Sequence, residues 1–106
     1  MSRRRRSRQP RFDPVDPLLD AKSVATLDLH GFTVSESDGA VRNFLQAWQR
    51  RAPGKIVHVV TGRGQGSAGG PVLRTRVGRL LGDEMSPLVR TFVRDVNEGG
   101  YMVELL

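Results

Sequence analysis

The chain has 106 residues, 17 basic and 11 acidic side chains, a net charge of +6, and no cysteine. This length supports one small domain with a single core, and the lack of cysteine excludes disulfide bonds and thiolate chemistry. No apolar run approaches the roughly 20 residues of a membrane-spanning helix, and the basic N-terminus lacks the apolar stretch of a secretion signal. We therefore expect a cytoplasmic, monomeric protein without a membrane anchor.

The first 22 residues are predicted to be a basic, proline-containing tail that is largely disordered, and residues 23–106 a single domain. The arginine run of the tail repels itself and has little apolar surface to bury. Because guanidinium groups match phosphate oxygens, we interpret this run as a nucleic-acid-binding arm, with a solubilising or targeting segment as the alternative. In the second half of the tail, the apolar residues either pack against the domain as a strap or stay free; they are Phe12, Val15, Leu18 and Leu19.

A strand and a helix are predicted next. Residues 24–30 alternate apolar and polar side chains, as a half-buried strand does, and Gly31 ends the strand. Ser35 is expected to start the helix, with Asp38 at the spacing of a capping box. The helical spacing predicts a buried face of Val41, Phe44, Leu45 and Trp48.

A second strand and helix follow. Residues 55–60 are apolar except for His58, which is typical of a central strand. After a glycine-rich loop, Pro71 suits the first turn of the second helix, and Gly82 suits its end.

A closing β-hairpin is predicted at residues 88–96 and 101–106. Simple alternation puts Val89 on the same strand face as Thr91 and Val93. The element order is β-α-β-α-β-β, in which the first strands pair in parallel through right-handed crossovers. The predicted fold class is α/β, a two-layer sandwich in which a mixed four-stranded sheet carries both helices on one face and leaves much of the other face free.

Asp28 and His30, at the end of the first strand, are the candidate catalytic residues. The two residues are two positions apart on a strand, so both side chains are expected to point from the same face of the sheet. Their backbone positions are then about 7 Å apart. A carboxylate can orient an imidazole and raise its basicity, and an imidazole can move the proton of a water or a ribose hydroxyl. The structural alternative is that Asp28 caps the following turn and His30 bonds a backbone group.

The second strand is followed by Thr61-Gly62-Arg63-Gly64-Gln65-Gly66-Ser67-Ala68-Gly69-Gly70. Glycines let backbone N–H groups converge on an anion, and arginine and hydroxyl side chains add donors. The loop lacks the Lys-Ser/Thr of a P-loop and the spacing of a dinucleotide fingerprint, which excludes nucleotide hydrolysis and NAD binding. A mobile linker is the alternative. Because parallel strands end at one edge of a sheet, both motifs are expected to surround one pocket.

Leu27-Asp28-Leu29-His30-Gly31, followed by Val60-Thr61-Gly62-Arg63-Gly64 and a glycine pair before the second helix, resembles the Smr (small MutS-related) domain family. The resemblance covers residues 24–106 and includes the closing Gly-Gly-Tyr-Met-Val-Glu-Leu strand. Smr domains are similar in fold to the C-terminal domain of bacterial translation initiation factor three. Members nick DNA or cleave RNA, some at stalled or collided ribosomes. Many members carry His where this chain has Thr61, and others carry Thr. The threonine removes one acid/base candidate from this chain.

The resemblance implies a nucleic-acid endonuclease that acts by hydrolysis or transesterification, with Asp28 and His30 as its catalytic residues. No cofactor is required by this reading, although Mg²⁺ or Mn²⁺ on Asp28 is an alternative to metal-independent cleavage. The partners expected are RNA or DNA, with the ribosome as a further candidate. The candidate phosphate-binding residues are Gly31, Thr61, Gly62, Arg63, Gly64, Gly66, Ser67, Gly69, Gly70, Arg74, Arg76 and Arg79, with Arg3, Arg4, Arg5 and Arg6 of the tail.

Two other functions stay open. A non-catalytic nucleic-acid-binding module would grip a phosphate in the same pocket and gain affinity from the tail. A ribosome- or protein-interaction domain would dock a partner on the free sheet face, through residues such as Thr91 and His58. We expect His58 to be a packed or sheet-face histidine, since it shares a strand face with Ile56 and Val60.

Overall fold

The computed structural model describes residues 17–62, 70–95 and 99–106. Its elements in chain order are α1 (Pro17–Asp20), β1 (Ala25–Asp28), α2 (Val34–Arg51), β2 (Ile56–Val60), α3 (Gly70–Gly82), a 3₁₀ turn (Ser86–Leu88), β3 (Val89–Asp95) and β4 (Gly100–Leu105). Among these helices, none combines the length and the apolar character needed to span a bilayer.

In the described part of the chain, four strands form one mixed sheet in the order β1-β2-β4-β3. β1 and β2 pair in parallel, whereas β4 pairs antiparallel with both β2 and β3. α2 and α3 pack against each other on one face of this sheet. The predicted α/β sandwich is therefore confirmed, with β2 in a central position. The sequence did not predict α1 or the 3₁₀ turn.

The main core lies between the two long helices and the sheet, where each fully buried aliphatic side chain stabilises the fold by about 1.5–3 kcal/mol. Val41 and Leu45 of the predicted α2 stripe are fully buried, and Phe44 and Trp48 pack beside them. The strands, the residue after β1 and α3 add further members to this core, which are Leu29, Val57, Val59, Leu73, Val77, Leu81, Phe92, Tyr101, Val103 and Leu105.

The N-terminus of α2 lies two residues earlier than predicted. Thr33 is the N-cap: its hydroxyl accepts the N–H of Glu36 at 3.1 Å, and the Glu36 carboxylate accepts the N–H of Thr33 at 2.9 Å. This reciprocal pair is a capping box, so the assignment to Ser35 and Asp38 was wrong. Asp38 instead faces α3, where it pairs with a guanidinium.

A register shift between Val89 and Thr91 corrects the predicted faces of β3. A bulge of this kind inserts an extra residue and breaks the two-residue alternation. Val89 therefore packs into the helix-side core with Phe92, whereas Val93 lies on the opposite face. Sequence alternation had put Val89 and Val93 together.

The second sheet face is partly covered by α1. Leu18 is buried against Val93 and Met102, with Leu19 and Ile56 beside this cluster. Of the two possibilities that the sequence left open for Leu18 and Leu19, the structure has them packed against the domain. The face opposite the long helices is thus less free than expected.

Candidate nucleic-acid site

Both sequence motifs emerge at one edge of the sheet. In the parallel pairing of β1 and β2, Asp28 lies opposite Val60, and the N–H of Leu29 donates to the Val60 carbonyl at 2.7 Å. The same row continues across the sheet to Gly100 and Asp95. The ends of β1, β2 and β3 and the start of β4 therefore meet here, at the carboxyl edge where open α/β sheets bind ligands.

The chain turns directly after Asp28, and His30 lies in this turn. The prediction that His30 belongs to the first strand was therefore wrong. The Asp28 carboxylate accepts a hydrogen bond from the backbone N–H of His30 at 3.0 Å, and Gly31 continues the turn with a φ of 86°. No hydrogen bond or ion pair joins the two side chains within the described residues. Both residues are exposed, which leaves the imidazole and the second carboxylate oxygen accessible to a ligand.

Thr61 is held inside the fold instead of facing the solvent. Its side chain is 1% exposed, and its hydroxyl donates to the Gly99 carbonyl at 2.8 Å. The same carbonyl accepts the N–H groups of Thr61 at 2.8 Å and Gly62 at 3.1 Å. These bonds tie the start of the glycine loop to the β3–β4 connection. The hydroxyl has one proton, and here it is engaged in a structural bond.

Several predicted phosphate-binding residues lie outside the described residues, and their roles stay predictions. They are Arg63, Gly64, Gly66, Ser67 and Gly69 of the loop and Arg3, Arg4, Arg5 and Arg6 of the tail. Gly62 has a φ of 128° where the described chain enters this loop. At the far end of the loop, Gly70 begins α3.

The three arginines of α3 differ in their surroundings. Arg76 forms a bidentate pair with Asp38 of α2, with both N–O distances 2.8 Å, and its hydrogen bonding lowers the pKa of that carboxyl below the ordinary value. Arg79 is exposed and has no ion pair among the described residues. Arg74 is partly buried, and its carbonyl accepts the Tyr101 hydroxyl at 2.8 Å. Arg76 is therefore a tether between helices as well as a candidate cation.

A second tether holds α2 to the end of α3. Arg42 donates to both carboxylate oxygens of Glu84, at 2.6 Å and 3.0 Å. The hydrogen bond from Arg42 lowers the pKa of Glu84. Together with the Arg76–Asp38 pair, this pair fixes the packing of the two long helices that begin at the site edge.

Arg94 is a cation near the site that the sequence analysis missed. It lies one residue from the end of β3, opposite Tyr101, and its Nε is buried with no hydrogen-bond partner among the described residues. Burial raises the pKa of Tyr101, while the charges of Arg94 and Arg74 act against that rise, so both guanidinium groups lie near this hydroxyl. Strand alternation gives Arg94 the same face as Phe92, but it does not report which side chains converge on a site.

His58 lies on the sheet face opposite the long helices, as the strand alternation predicted. Its Nε2 is 3.1 Å from the Asp95 carboxylate, and both side chains are 14% exposed. This contact is not a hydrogen bond, and Nε2 has no other hydrogen-bond partner among the described residues. Asp95 belongs to the same sheet row as Asp28, so this pair borders the candidate site without facing solvent as His30 does.

The described residues contain no group of three or more His, Cys, Asp or Glu side chains arranged to hold a metal ion. Mg²⁺ prefers oxygen ligands, and it commonly uses one or two carboxylates and completes its shell with water and substrate phosphates. Asp28 fits such a partial ligand, since it is an exposed carboxylate at the edge where a phosphate would lie.

The comparisons with known proteins identify the family. No curated protein and no solved structure gave a significant match to this chain. The family model of the Smr domain matches residues 27–105, from the first motif to the last residue of β4. This match spans both motifs and most of the sequence, and we conclude that the chain belongs to the Smr domain family.

Proposed function

We propose that this protein is an endonuclease that cuts phosphodiester bonds of RNA or DNA at the edge occupied by Asp28, His30 and the start of the glycine loop. The observation that carries the proposal is the register of β1 and β2, in which Asp28 lies opposite Val60. This pairing brings the acid/base motif beside the phosphate-binding motif. Membership of the Smr family supports it, because Smr domains have nuclease or nucleic-acid-binding roles.

In this mechanism His30 is the proton carrier. On RNA, its neutral imidazole takes the proton of the ribose 2′-hydroxyl and the 2′-oxygen attacks the phosphorus. The bond from phosphorus to the 5′-oxygen breaks, and this oxygen takes a proton from the imidazolium or from water. The products are a 2′,3′-cyclic phosphate and a 5′-hydroxyl. Asp28 fixes the turn that carries His30 through its bond to the His30 N–H.

The charge that develops on the phosphate needs fixed positive groups around it. Arg63 and the loop amides supply these in the proposal, and Arg74 and Arg94 add two guanidinium groups that have no carboxylate partner in the described residues. A divalent ion on Asp28 would activate water instead of the 2′-hydroxyl. DNA would then be a substrate as well.

A second function, a nucleic-acid-binding module without catalysis, is favoured by one specific observation. The Asp28 carboxylate already serves as a turn cap, which gives the residue a structural reason to be present. In that case the same edge binds phosphate without moving protons.

The test is cleavage of labelled single-stranded RNA and of supercoiled plasmid, in EDTA or with Mg²⁺ or Mn²⁺. Wild type is compared with His30→Ala and with the double variant Asp28→Ala/His30→Ala. RNA cut in EDTA and spared by both variants supports acid/base chemistry at His30. If the double variant cuts as fast as wild type, the assignment is wrong. Binding without cutting, unchanged in the double variant, supports the binding module.

A further inference from the structure

A groove between α2 and α3 opens beside the candidate site. It has a volume of about 450 Å³ and is lined by Val34, Val72, Thr75, Arg76 and Arg79. Val34 is the first residue of α2, three positions after Gly31, and Val72 follows Gly70 in the first turn of α3. The two valines of the groove therefore lie in the first turns of the two helices that follow the two motifs.

Two of the residues that line the groove are apolar and exposed to solvent. Val34 is 38% and Val72 is 56% exposed, and they are two of the four large exposed hydrophobic residues in the described part of the chain. Single exposed valines are common on protein surfaces. Two that share a groove beside a phosphate-binding edge form an apolar surface from which a flat, weakly hydrated group would displace water.

The guanidinium group of Arg76, which also lines the groove, is held in a fixed plane. Both Nε and Nη2 of Arg76 are bonded to Asp38, yet the Arg76 side chain remains 36% exposed. A guanidinium fixed at its edge by a carboxylate still offers its flat face, and arginine faces stack on the bases of single-stranded nucleic acids. The exposed Arg79 adds a positive charge at the rim.

A second depression lies beside the groove and disfavours a phosphate backbone. It is lined by Arg76, Arg79, Leu80, Asp83 and Glu84. Glu84 is paired with Arg42, but the exposed carboxylate of Asp83 repels a phosphate, so a nucleic-acid strand is expected to remain at the edge near Gly70 and to turn only a base into the groove.

We infer that the groove formed by Val34, Val72, Thr75, Arg76 and Arg79 binds one nucleobase of the substrate strand, stacked on the Arg76 guanidinium and seated on the two valines. This inference rests on the proposed function, since it takes the neighbouring edge as the phosphate site. It assigns Arg76 to a base where the sequence analysis had assigned it to a phosphate. Stacking of this kind is tolerant of sequence because every base has a flat face.

The test is a double-mutant cycle between the protein and the RNA. Every protein carries His30→Ala so that the RNA stays intact. Affinity is measured for a short single-stranded RNA and for a series in which each nucleotide in turn lacks its base. The probe variant is Val72→Ser, and the control is Val24→Ser. Val24 is 45% exposed but precedes β1, at the opposite edge of the sheet.

We expect Val72→Ser to weaken RNA binding by about tenfold, in keeping with the contribution of one stacked base, and Val24→Ser to leave it unchanged. Loss of the base at one particular position should cost the His30→Ala protein a similar factor and cost the Val72→Ser protein almost nothing. If Val72→Ser binds like Val24→Ser, or the losses simply multiply at every position, the groove does not hold a base and the proposed endonuclease stands. If the His30→Ala protein binds neither this RNA nor a single-stranded DNA of the same length at low salt, both proposals fail.

Discussion

The Asp28 carboxylate accepts a hydrogen bond of 3.0 Å from the backbone N–H of His30. One side chain therefore fixes the turn that carries the imidazole and places a negative charge beside it. These two contributions can be separated, because asparagine retains the acceptor oxygen and loses the charge, whereas alanine loses both.

The Asp28→Asn variant is expected to unfold at nearly the wild-type temperature, while Asp28→Ala should be less stable by about 0.5–1.5 kcal/mol, the usual net value of one hydrogen bond. Cleavage should fall by about 100-fold or more in both, since each loses the charge that supports proton transfer. Thermal unfolding by circular dichroism and RNA cleavage rates test this. Full cleavage by Asp28→Asn would show that the charge is not needed and that Asp28 is only a turn cap.

Thr61 provides a second separation of structure from function. Its hydroxyl donates to Gly99, so Thr61→Val should destabilise the fold by about 1–3 kcal/mol through the loss of a buried bond, and Thr61→Ser should recover most of that loss. The free energy of unfolding of both variants is measured in urea, together with their cleavage rates under conditions where each is folded. If folded Thr61→Val cuts at the wild-type rate, the predicted phosphate contact of this hydroxyl is wrong.

Gly100 marks a close approach between β4 and β2. A Cβ at this position would lie 1.9 Å from the Val59 carbonyl oxygen, whereas a Cβ on Gly39 in α2 has no neighbour within 4 Å. Gly100→Ala should therefore destabilise the protein by about 3 kcal/mol or more, since backbone atoms must move. Gly39→Ala should stabilise it by about 0.5–1 kcal/mol through helix propensity. Denaturant unfolding of the two variants gives the comparison, and equal effects would contradict the strand register of β2 and β4.

Much of this fold could be predicted from the sequence because its signals are periodic. The stripe that includes Val41 and Leu45 repeats at helical spacing, and Val57 and Val59 alternate along β2, so each pattern gives both the element and its buried face. The order of the elements then leaves few topologies. For the same reason, the meeting of the two motifs at one edge followed from two parallel neighbouring strands.

The misses come from interactions between distant parts of the chain. Thr33 and Ser35 both offer a hydroxyl three residues before an acid, and only the pairing of Asp38 with Arg76 removes the second possibility. The bulge beyond Val89 depends on the match of β3 to β4. The burial of Arg94 Nε without a partner among the described residues depends on tertiary packing. Local periodicity in the sequence predicts none of these three features.

The Arg76–Asp38 pair predicts how stability depends on pH. The hydrogen bond from Arg76 lowers the pKa of Asp38 in the folded protein, so the pair stabilises the fold above the pKa of the unfolded carboxyl. That contribution is lost as the pH falls through the depressed folded value. Wild type should therefore lose more stability between pH 5 and pH 3, a window set by the ordinary aspartate pKa of about 3.9, than Asp38→Asn does.

The matched control for this acid limb is Asp83→Asn, because the hydrogen bonds that Asp83 makes within the described residues all involve backbone atoms. Melting temperatures of the three proteins are compared at several pH values. Glu84, whose pKa is lowered by Arg42, contributes in the same direction to the acid limb of all three proteins. Parallel acid limbs for wild type and Asp38→Asn would mean that the pair adds no stability in solution.

Arg94 and Arg90 lie on the same strand but in different surroundings, and this difference gives a test of the phosphate site. Arg90 is exposed and lies 3.8 Å from Glu104, whereas Arg94 Nε is buried without a partner and its charge reaches the Tyr101 hydroxyl. Each phosphate contact made by a cation contributes about 0.7–0.9 to the slope of log affinity against log salt. We expect Arg94→Gln to weaken RNA binding and to reduce that slope by the amount of about one phosphate contact. Arg90→Gln should leave both the affinity and the slope unchanged.

The salt series is run on the His30→Ala background, with circular dichroism to verify folding. A wild-type slope in Arg94→Gln would remove Arg94 from the phosphate site, since a cation that holds a phosphate must release a counterion when it binds.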